Sequence, residues 1–190
     1  INLLKATKNL KHKAILALLY SAGLRVGELL NLELKDIDLE RNVIQVKQGK
    51  GRKDRNTSLG KQIKPVLISY AESYKPQKYL FEGTQPGMRY SASSIRQFLK
   101  VSCTNAGITK HVTPHTLRHS YATHLLESGV DVRYIQELLG HSRPETTMIY
   151  THVSEKKIDE IKNPLDEAVN KFNKTDNTHK NISLSRKKNK

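Results

Sequence analysis

Four side chains between Pro114 and Tyr150 are of types that can attack a phosphodiester and stabilise the charge that develops. They are His115, Arg118, His141 and Tyr150. A phosphodiester gains a second negative charge in its pentavalent transition state, and the planar fork of a guanidinium matches phosphate oxygens, so Arg118 fits the stabilising role. The phenol of Tyr150 has a reference pKa of about 10 and needs a base or a strong positive field to become a good nucleophile. This stretch therefore predicts a site that cuts and joins DNA strands.

His115 and Arg118 lie on a predicted helix, Pro114–Gly129. Proline suits the first turn of a helix, and glycine tolerates the left-handed conformation that ends one. The predicted buried stripe of this helix is Tyr121, Ala122, Leu125 and Leu126. Because residues three apart share a helix face, His115 and Arg118 should point into the same space, where His115 or a neighbouring arginine could activate the phenol.

His141 and Tyr150 follow a second predicted helix, over residues 130–139. That helix ends at a glycine, and His141 comes next, in a turn where an imidazole can face a cleft. Ser142 and Pro144 predict the start of a short helix that carries Tyr150 near its end.

Arg25 and Glu28 form another candidate pair. A predicted core helix over residues 10–20 ends near Gly23, and the next helix starts at once. Arg25 and Glu28 lie three apart on its first turn, where an arginine opposes the helix macrodipole. A purely structural ion pair and a role in the site are equally consistent with the sequence.

A basic hairpin is predicted between two strands. Residues 43–46 alternate as a β-branched strand, residues 57–59 form the return strand, and the tip between them has two glycines. The basic residues of that tip are Lys50, Arg52, Lys53 and Arg55. Such a tip can contact a DNA backbone, and a lysine there can protonate a leaving alkoxide. A solvated turn with incidental charge is the alternative, and for a lone basic hairpin it is the favoured one.

The other segments are predicted to pack around the site. Helices over residues 61–74 and 91–106 flank a short strand at 78–81, so the fold class is mainly α with a small antiparallel β-sheet (α+β). Arg96 and Lys100 on the later helix could contact a DNA backbone. An amphipathic end up to residue 172 closes its own core or lies on a neighbouring subunit, and residues 173–190 are predicted to be a disordered basic tail.

The length and cysteine content restrict the class of protein. The 190 residues suffice for one well-cored domain without internal repeats. No apolar run reaches transmembrane length, and the start at Ile1 resembles neither a signal peptide nor a natural initiator, so we expect an excerpt of a longer protein. Cys103 is the only cysteine, which excludes an internal disulfide and fits the reducing cytoplasm.

The charge points to a polyanionic partner. The net charge is +15, from 33 basic and 18 acidic side chains. Residues 171–190 carry seven basic side chains and one acidic side chain. The preceding residues therefore carry 26 basic and 17 acidic side chains, a net charge of +9. Phe is scarce and Trp absent, which disfavours stacking on single strands, so double-stranded DNA is the predicted partner.

The residues of interest occur in a specific order. In chain order they are Arg25, Lys50, His115-Thr116-Leu117-Arg118, Leu139-Gly140-His141-Ser142 and Tyr150-Thr151-His152-Val153. This order, with eight residues between His141 and Tyr150, resembles the catalytic domain of the tyrosine recombinase (phage integrase) family, in its Xer-like integrase branch. The resemblance covers roughly residues 10–153.

The resemblance implies a role for each residue. Tyr150 would attack the scissile phosphate to form a 3′-phosphotyrosyl link, while Arg25 and Arg118 would hold the non-bridging oxygens. His115 would assist proton transfer, and His141 would bond the phosphate.

Two further roles complete the implied site. Lys50 would protonate the departing 5′-oxygen, and Glu28 matches the acidic position that supports the site, which favours an active-site role for the pair with Arg25. The family needs no metal or nucleotide cofactor, because the covalent link conserves the bond energy for rejoining.

The resemblance also implies partners and domains. Family members exchange strands as four subunits on DNA, so we expect a tetramer in the cytoplasm, at the nucleoid. Residues 1–172 would be the catalytic domain, and the helical N-terminal domain that clamps the other side of the DNA would be absent. Residues 154–172 correspond to a segment that often docks on the next protomer.

Three alternatives stay open. His115 and His119, four apart, could bind a metal, although no carboxylate or cysteine completes a zinc pattern. A type IB topoisomerase uses similar residues but relaxes supercoils without partner sites. A non-catalytic DNA-binding module would explain the charge but not the complete residue set.

Overall fold

The structure, a computed structural model, describes residues 1–47, 54–140 and 163–182. These ranges form a mainly helical fold with one three-stranded antiparallel sheet, which confirms the predicted fold class. The helices are α1 (Asn2–Ala6), α2 (Leu10–Ser21), α3 (Val26–Asn31), α4 (Lys64–Tyr74), α5 (Ala92–Asn105), α6 (Pro114–Glu127), α7 (Val132–Leu139) and α8 (Pro164–Ile182). The strands are β1 (Ile37–Asp38), β2 (Val43–Val46) and β3 (Arg55–Ser58), and 3-10 turns cover Leu34–Asp36 and Lys61–Ile63. None of the described helices is long and apolar enough to cross a membrane.

Helix α2 lies at the centre of the main core. Its residues from Ala14 to Leu19 are all at most 3% exposed, as expected of a helix that is apolar around its whole circumference. It contacts α1, α3, α4, α5, α6 and α8. Beyond its end the chain reverses at Gly23, where φ is +60°, as the sequence predicts. Helix α2 is thus the support on which the site-bearing helices pack.

Helices α6 and α7 enclose a second, smaller apolar cluster. Its members are Tyr121, Leu125, Ile135, Leu138 and Leu139. The predicted start of α6 at Pro114 is confirmed, and the chain reverses at Gly129 with φ +85°. Leu126, predicted to be buried, is 56% exposed, because Tyr121 and Leu125 occupy the inner face and the next residue falls about 100° around the helix. Helix α7 starts at Val132, two residues later than predicted, because Asp131 caps it.

The sheet confirms the two predicted strands and adds a third. Strands pair antiparallel in the order β1-β2-β3, and Ile44 lies opposite Thr57 and Val46 opposite Arg55. Ile44, Val46 and Thr57 are buried, so Arg55 is on the strand face that points inward. The third strand, β1, has only two residues, too few for a recognisable alternation.

The strand predicted at residues 78–81 is reduced to a single bridge between Glu33 and Tyr79. The Glu82 carboxylate explains this difference. Its Oε1 accepts the backbone N–H groups of Gln77, Lys78 and Tyr79 at 2.7–3.1 Å, so these donors are not free for a longer ladder.

Helix α8 docks on the main core of its own chain. Leu165 is 4% exposed, and the Asn163 side chain donates to Ser21 O at 2.7 Å and accepts the N–H of Leu165. Asp166 accepts the backbone N–H groups of Lys61 and Gln62. The helix continues to Ile182, whereas composition predicts disorder over residues 173–190, of which residues 183–190 lie outside the described residues. Propagating an already anchored helix adds a hydrogen bond for each residue that is fixed, which composition alone does not count.

Candidate active site

Glu28 is the centre of a buried ionic cluster. Its side chain is 6% exposed, and each carboxylate oxygen accepts from two residues. Oε1 accepts from Arg25 Nη1 at 2.7 Å and from Arg55 Nη1 at 2.9 Å. Oε2 accepts from the Arg25 backbone N–H and from Arg55 Nη2, both at 2.8 Å. Burial raises the pKa of Glu28, but the hydrogen bonds from Arg55 and Arg25 outweigh it and lower the pKa to about 2.

Arg118 lies beside this carboxylate, on the second turn of α6. Its Nη1 donates to Gly23 O at 2.5 Å and is 3.8 Å from Glu28 Oε2. Its side chain is 4% exposed. Burial and the nearby positive charges of Arg25 and Arg55 lower the pKa of Arg118 to about 10. The guanidinium therefore remains a cation at neutral pH.

The C-terminus of α7 supplies the remaining acceptors. Three successive carbonyl groups there each accept from a different arginine: Leu138 from Arg55 Nε (2.7 Å), Leu139 from Arg118 Nη2 (2.6 Å) and Gly140 from Arg25 Nη2 (3.2 Å). The last carbonyls of a helix lack partners within the helix and carry the negative end of its dipole. This helix end therefore gathers the three arginines from three different elements, directly before His141.

Two glycines make this packing possible. A Cβ atom on Gly23 would lie 2.5 Å from the Tyr121 ring, and one on Gly140 would lie 3.0 Å from Arg55 Cδ. Both residues also have positive φ, +60° and +62°. Glycine at these positions lets the backbone come close enough to offer its carbonyls to Arg118 and Arg25.

The cluster has an excess of positive charge. Three guanidinium groups against one carboxylate leave two unit charges, only partly offset by the partial charge of the helix end. Arg25 is the most open of the three, with 29% of its side chain exposed, compared with 9% for Arg55. Such a group of pre-oriented donors suits a phosphate whose negative charge increases during reaction.

The structure brings together four of the predicted residues: Arg25, Glu28 and Arg118, predicted for the active site, and Arg55, predicted for the hairpin tip. His115 is exposed on the first turn of α6, three residues before Arg118 on the same face. Among the described residues, it takes no part in the hydrogen bonds that join Glu28 to the arginines. The sequence allows Arg25 and Glu28 to be either a structural ion pair or residues of the site. These two interpretations are compatible, because the ion pair forms the framework of the cluster.

Several predicted residues lie outside the cluster or outside the described residues. Arg96 and Lys100 are exposed and four apart on α5, outside the cluster. Five others lie outside the described residues: Lys50, Arg52, Lys53, His141 and Tyr150. The described residues contain no group of three or more His, Cys, Asp or Glu side chains that could hold a metal.

Arg55 departs from its predicted place. The sequence analysis assigns it to a DNA-contacting hairpin tip, but the structure places it at the start of β3 with its side chain turned into the cluster. The reason is the pleat, since Arg55 and Thr57 are two apart and share the buried face. An arginine at an inward strand position implies a buried anionic partner, and this signal was available once β3 was started at residue 55 instead of 57.

The comparisons with known proteins agree with one another. Residues 1–157 match the family model described as the phage integrase family. A tyrosine recombinase of Thermosipho africanus is 43% identical over 154 residues, which is 80% of this chain and 54% of that protein. Tyrosine recombinase XerD of Staphylococcus saprophyticus is 42% identical over 159 residues, with the same two coverages. The chain thus spans about half the length of the curated relatives it matches.

Solved structures show the same relationship. The crystal structure of XerA recombinase matches 84% of this chain and 58% of its own, with a TM-score of 0.70 and 38% identity. XerH site-specific recombinase, bound to its difH substrate before cleavage, matches 84% of this chain and 53% of its own, with a TM-score of 0.67 and 25% identity. From the family match, the identities and the shared fold, we conclude that the chain belongs to the phage integrase family.

Proposed function

We propose that this chain is the catalytic domain of a site-specific tyrosine recombinase, which cleaves and rejoins DNA strands through a 3′-phosphotyrosyl intermediate. Family membership supports the reaction class. The observation that carries the proposal is the gathering of Arg25, Arg55 and Arg118 around Glu28 at the C-terminus of α7. Its net positive charge and fixed donors suit a phosphodiester in its transition state better than a neutral substrate.

The proposed reaction begins with an in-line attack. The Tyr150 oxygen forms a bond to the scissile phosphorus, and the bond from phosphorus to the 5′-oxygen breaks. Arg25 and Arg118 hold the non-bridging oxygens, whose charge increases as the pentavalent state forms. His115 assists the removal of the phenolic proton, and His141 donates a hydrogen bond to the phosphate.

The leaving group requires a proton, which Lys50 supplies to the departing 5′-oxygen. Rejoining reverses these steps, with a 5′-hydroxyl attacking the phosphotyrosine and releasing the phenol. The number of phosphoester bonds is unchanged, so the reaction consumes no nucleotide. Within this scheme Glu28 does not touch the phosphate, and its role is to hold Arg25.

Contacts outside the reacting phosphate would position the duplex. Arg96 and Lys100 project from α5, and Arg52 and Lys53 belong to the basic hairpin. Contacts of this type bind phosphates without reading sequence, so affinity should fall steeply as salt rises. The DNA-bound structure of XerH supports a duplex as the partner of this chain also.

Further proposals concern the assembly of the protein on DNA and its place in the cell. A tetramer on DNA would pair four copies at a junction. Helix α8 docks in cis through Asn163, Leu165 and Asp166, and the same contacts could form in trans if the segment is exchanged between copies. The place of action would be the cytoplasm, at the nucleoid.

A covalent adduct tests the function. The longest natural form of the protein is mixed with nicked suicide duplexes drawn from sequences that flank its gene, and adducts are detected on denaturing gels. We expect an adduct with the parent protein and none with Tyr150→Phe, which should bind the same DNA equally well. An adduct that persists in Tyr150→Phe, or no adduct on any flank, would contradict the proposal.

A further inference from the structure

Arg55 contacts both groups that orient the Arg25 side chain. Arg25 donates to Glu28 Oε1 and to Gly140 O. Arg55 is bonded to both oxygens of Glu28, and its side chain lies against Gly140, where a Cβ atom would be 3.0–3.2 Å from Cδ, Nε and Nη1. Any change in Arg55 therefore reaches Arg25 by two routes.

The contacts of Arg55 join three elements of the fold. It starts β3, binds Glu28 on α3 and donates through Nε to Leu138 O at 2.7 Å, at the end of α7. Its planar fork makes two parallel bonds to one carboxylate while the third N–H points to the helix end. A lysine, which is a point charge on a flexible stem, cannot reproduce this geometry.

Arg55 is a poor candidate for contact with DNA itself. Each of its three side-chain nitrogen atoms is bonded within the protein, two of them to the Glu28 carboxylate, whereas Arg118 donates to backbone carbonyls. Turning its side chain outward toward a phosphate would break its two bonds to Glu28 and leave that carboxylate buried with fewer donors. Arg25, with 29% of its side chain exposed, is the most exposed member of the cluster.

We propose that Arg55 is a positioning residue for strand cleavage, which sets the geometry of Arg25 through Glu28 and Gly140. The proposal rests on the proposed function, in which Arg25 holds the scissile phosphate. Its consequence is that a change at Arg55 affects the reaction of bound DNA, and affects DNA affinity little.

The test compares cleavage with binding in the full-length protein. Single-turnover cleavage of a nicked suicide duplex is measured at saturating protein, and the dissociation constant is measured over a range of salt concentrations. For Arg55→Lys we expect cleavage to slow about 100-fold, as for a misplaced reacting group, with a dissociation constant within about twofold of the parent's and an unchanged salt slope. Arg89→Lys is the matched control, because Arg89 is an exposed arginine that bonds to Asn31 and lies over the Tyr79 ring, and it makes none of the cluster's hydrogen bonds. It should leave both quantities as in the parent.

A second substrate separates positioning from a general loss of structure. Replacing the scissile phosphate by an uncharged methylphosphonate removes the charge that Arg25 offsets. The defects of Arg25→Ala and Arg55→Lys should both shrink at least about tenfold on this substrate, since one charged donor matters less there. If Arg55→Lys does not fold, a double variant takes its place in the same comparison. This variant combines Glu28→Gln with Arg55→Met and so removes both charges.

The outcomes are distinct. Equal defects on both substrates would assign Arg55 a merely structural role, and normal cleavage by Arg55→Lys would also overturn the proposal. A weaker affinity with the salt slope lower by about one would make Arg55 a DNA contact. If the parent protein itself forms no adduct that depends on Tyr150, the proposed function fails and this inference fails with it.

Discussion

The two buried regions of this protein are held together in opposite ways. Around α2, the residues from Ala14 to Leu19 pack without directional bonds, and stability comes from apolar area removed from water. Around Glu28, oriented hydrogen bonds join two arginines to the Glu28 carboxylate and three arginines to four backbone carbonyls. Apolar cores tolerate swaps that conserve volume, whereas bidentate pairs do not tolerate a change of donor geometry.

The comparison indicates what each region is for. Taking charges out of water is expensive, so a buried ion cluster is weak evidence for stability. The apolar core stabilises the fold through buried area, whereas the cluster holds an excess of two positive charges that packing does not require. We infer that the cluster serves to orient its arginines, and that changes in the two regions affect different observables.

The largest expected effect on stability is in the apolar core. Leu18→Ala removes a fully buried side chain and should lower the free energy of unfolding by about 4 kcal/mol, through lost burial and a cavity. Urea unfolding measures this loss. Ile68→Ala changes a side chain that is 43% exposed and is the control, which should lower the free energy of unfolding by less than about 1 kcal/mol. Cleavage per folded molecule should be unchanged. A slower cleavage step in folded Leu18→Ala would contradict the claim that changes in the two regions affect different observables.

Acid should weaken the ionic cluster and not the apolar core. The pKa of Glu28 falls from its ordinary value of 4.5 to about 2 on folding, so its contribution is present above pH 4.5 and is lost as pH falls toward 2. That loss is about 3 kcal/mol. Unfolding measured from pH 6 to pH 2 should show a shallower acid limb in Glu28→Gln than in Glu72→Gln, which changes an exposed carboxylate on α4. Parallel limbs in the two variants would contradict this assignment.

Gly23 is where the two regions meet. Gly23→Ala adds a Cβ atom 2.5 Å from Tyr121 at a position with φ +60°, and should lower stability by about 2 kcal/mol. It should also slow cleavage, because Gly23 O holds Arg118. Gly107→Ala is the matched control, since φ is +67° there but nothing lies within 4 Å of the added atom. Equal stability losses in both variants would show that backbone strain alone matters.

The elements that carry the site were predictable because their signals are local. Pro114 and Gly129 delimit α6, and the alternation of residues 43–46 marks β2. The arrangement of the cluster was not predictable in the same way. Every residue has a carbonyl, so nothing in the sequence marks those of Leu138 to Gly140 as acceptors, and Arg55 reads as one more basic hairpin residue until the register of β3 is known.

The role of the arginine cluster at the reacting phosphate is tested most directly by Arg118→Ala. Single-turnover cleavage of a nicked suicide duplex and the dissociation constant for the same DNA are measured with full-length protein that is shown to be folded. We predict that cleavage slows on the order of 10³-fold, about 4 kcal/mol of transition-state stabilisation, while DNA affinity changes only a few-fold. Cleavage at the parent rate by folded Arg118→Ala would contradict the claim that this cluster stabilises the reacting phosphate.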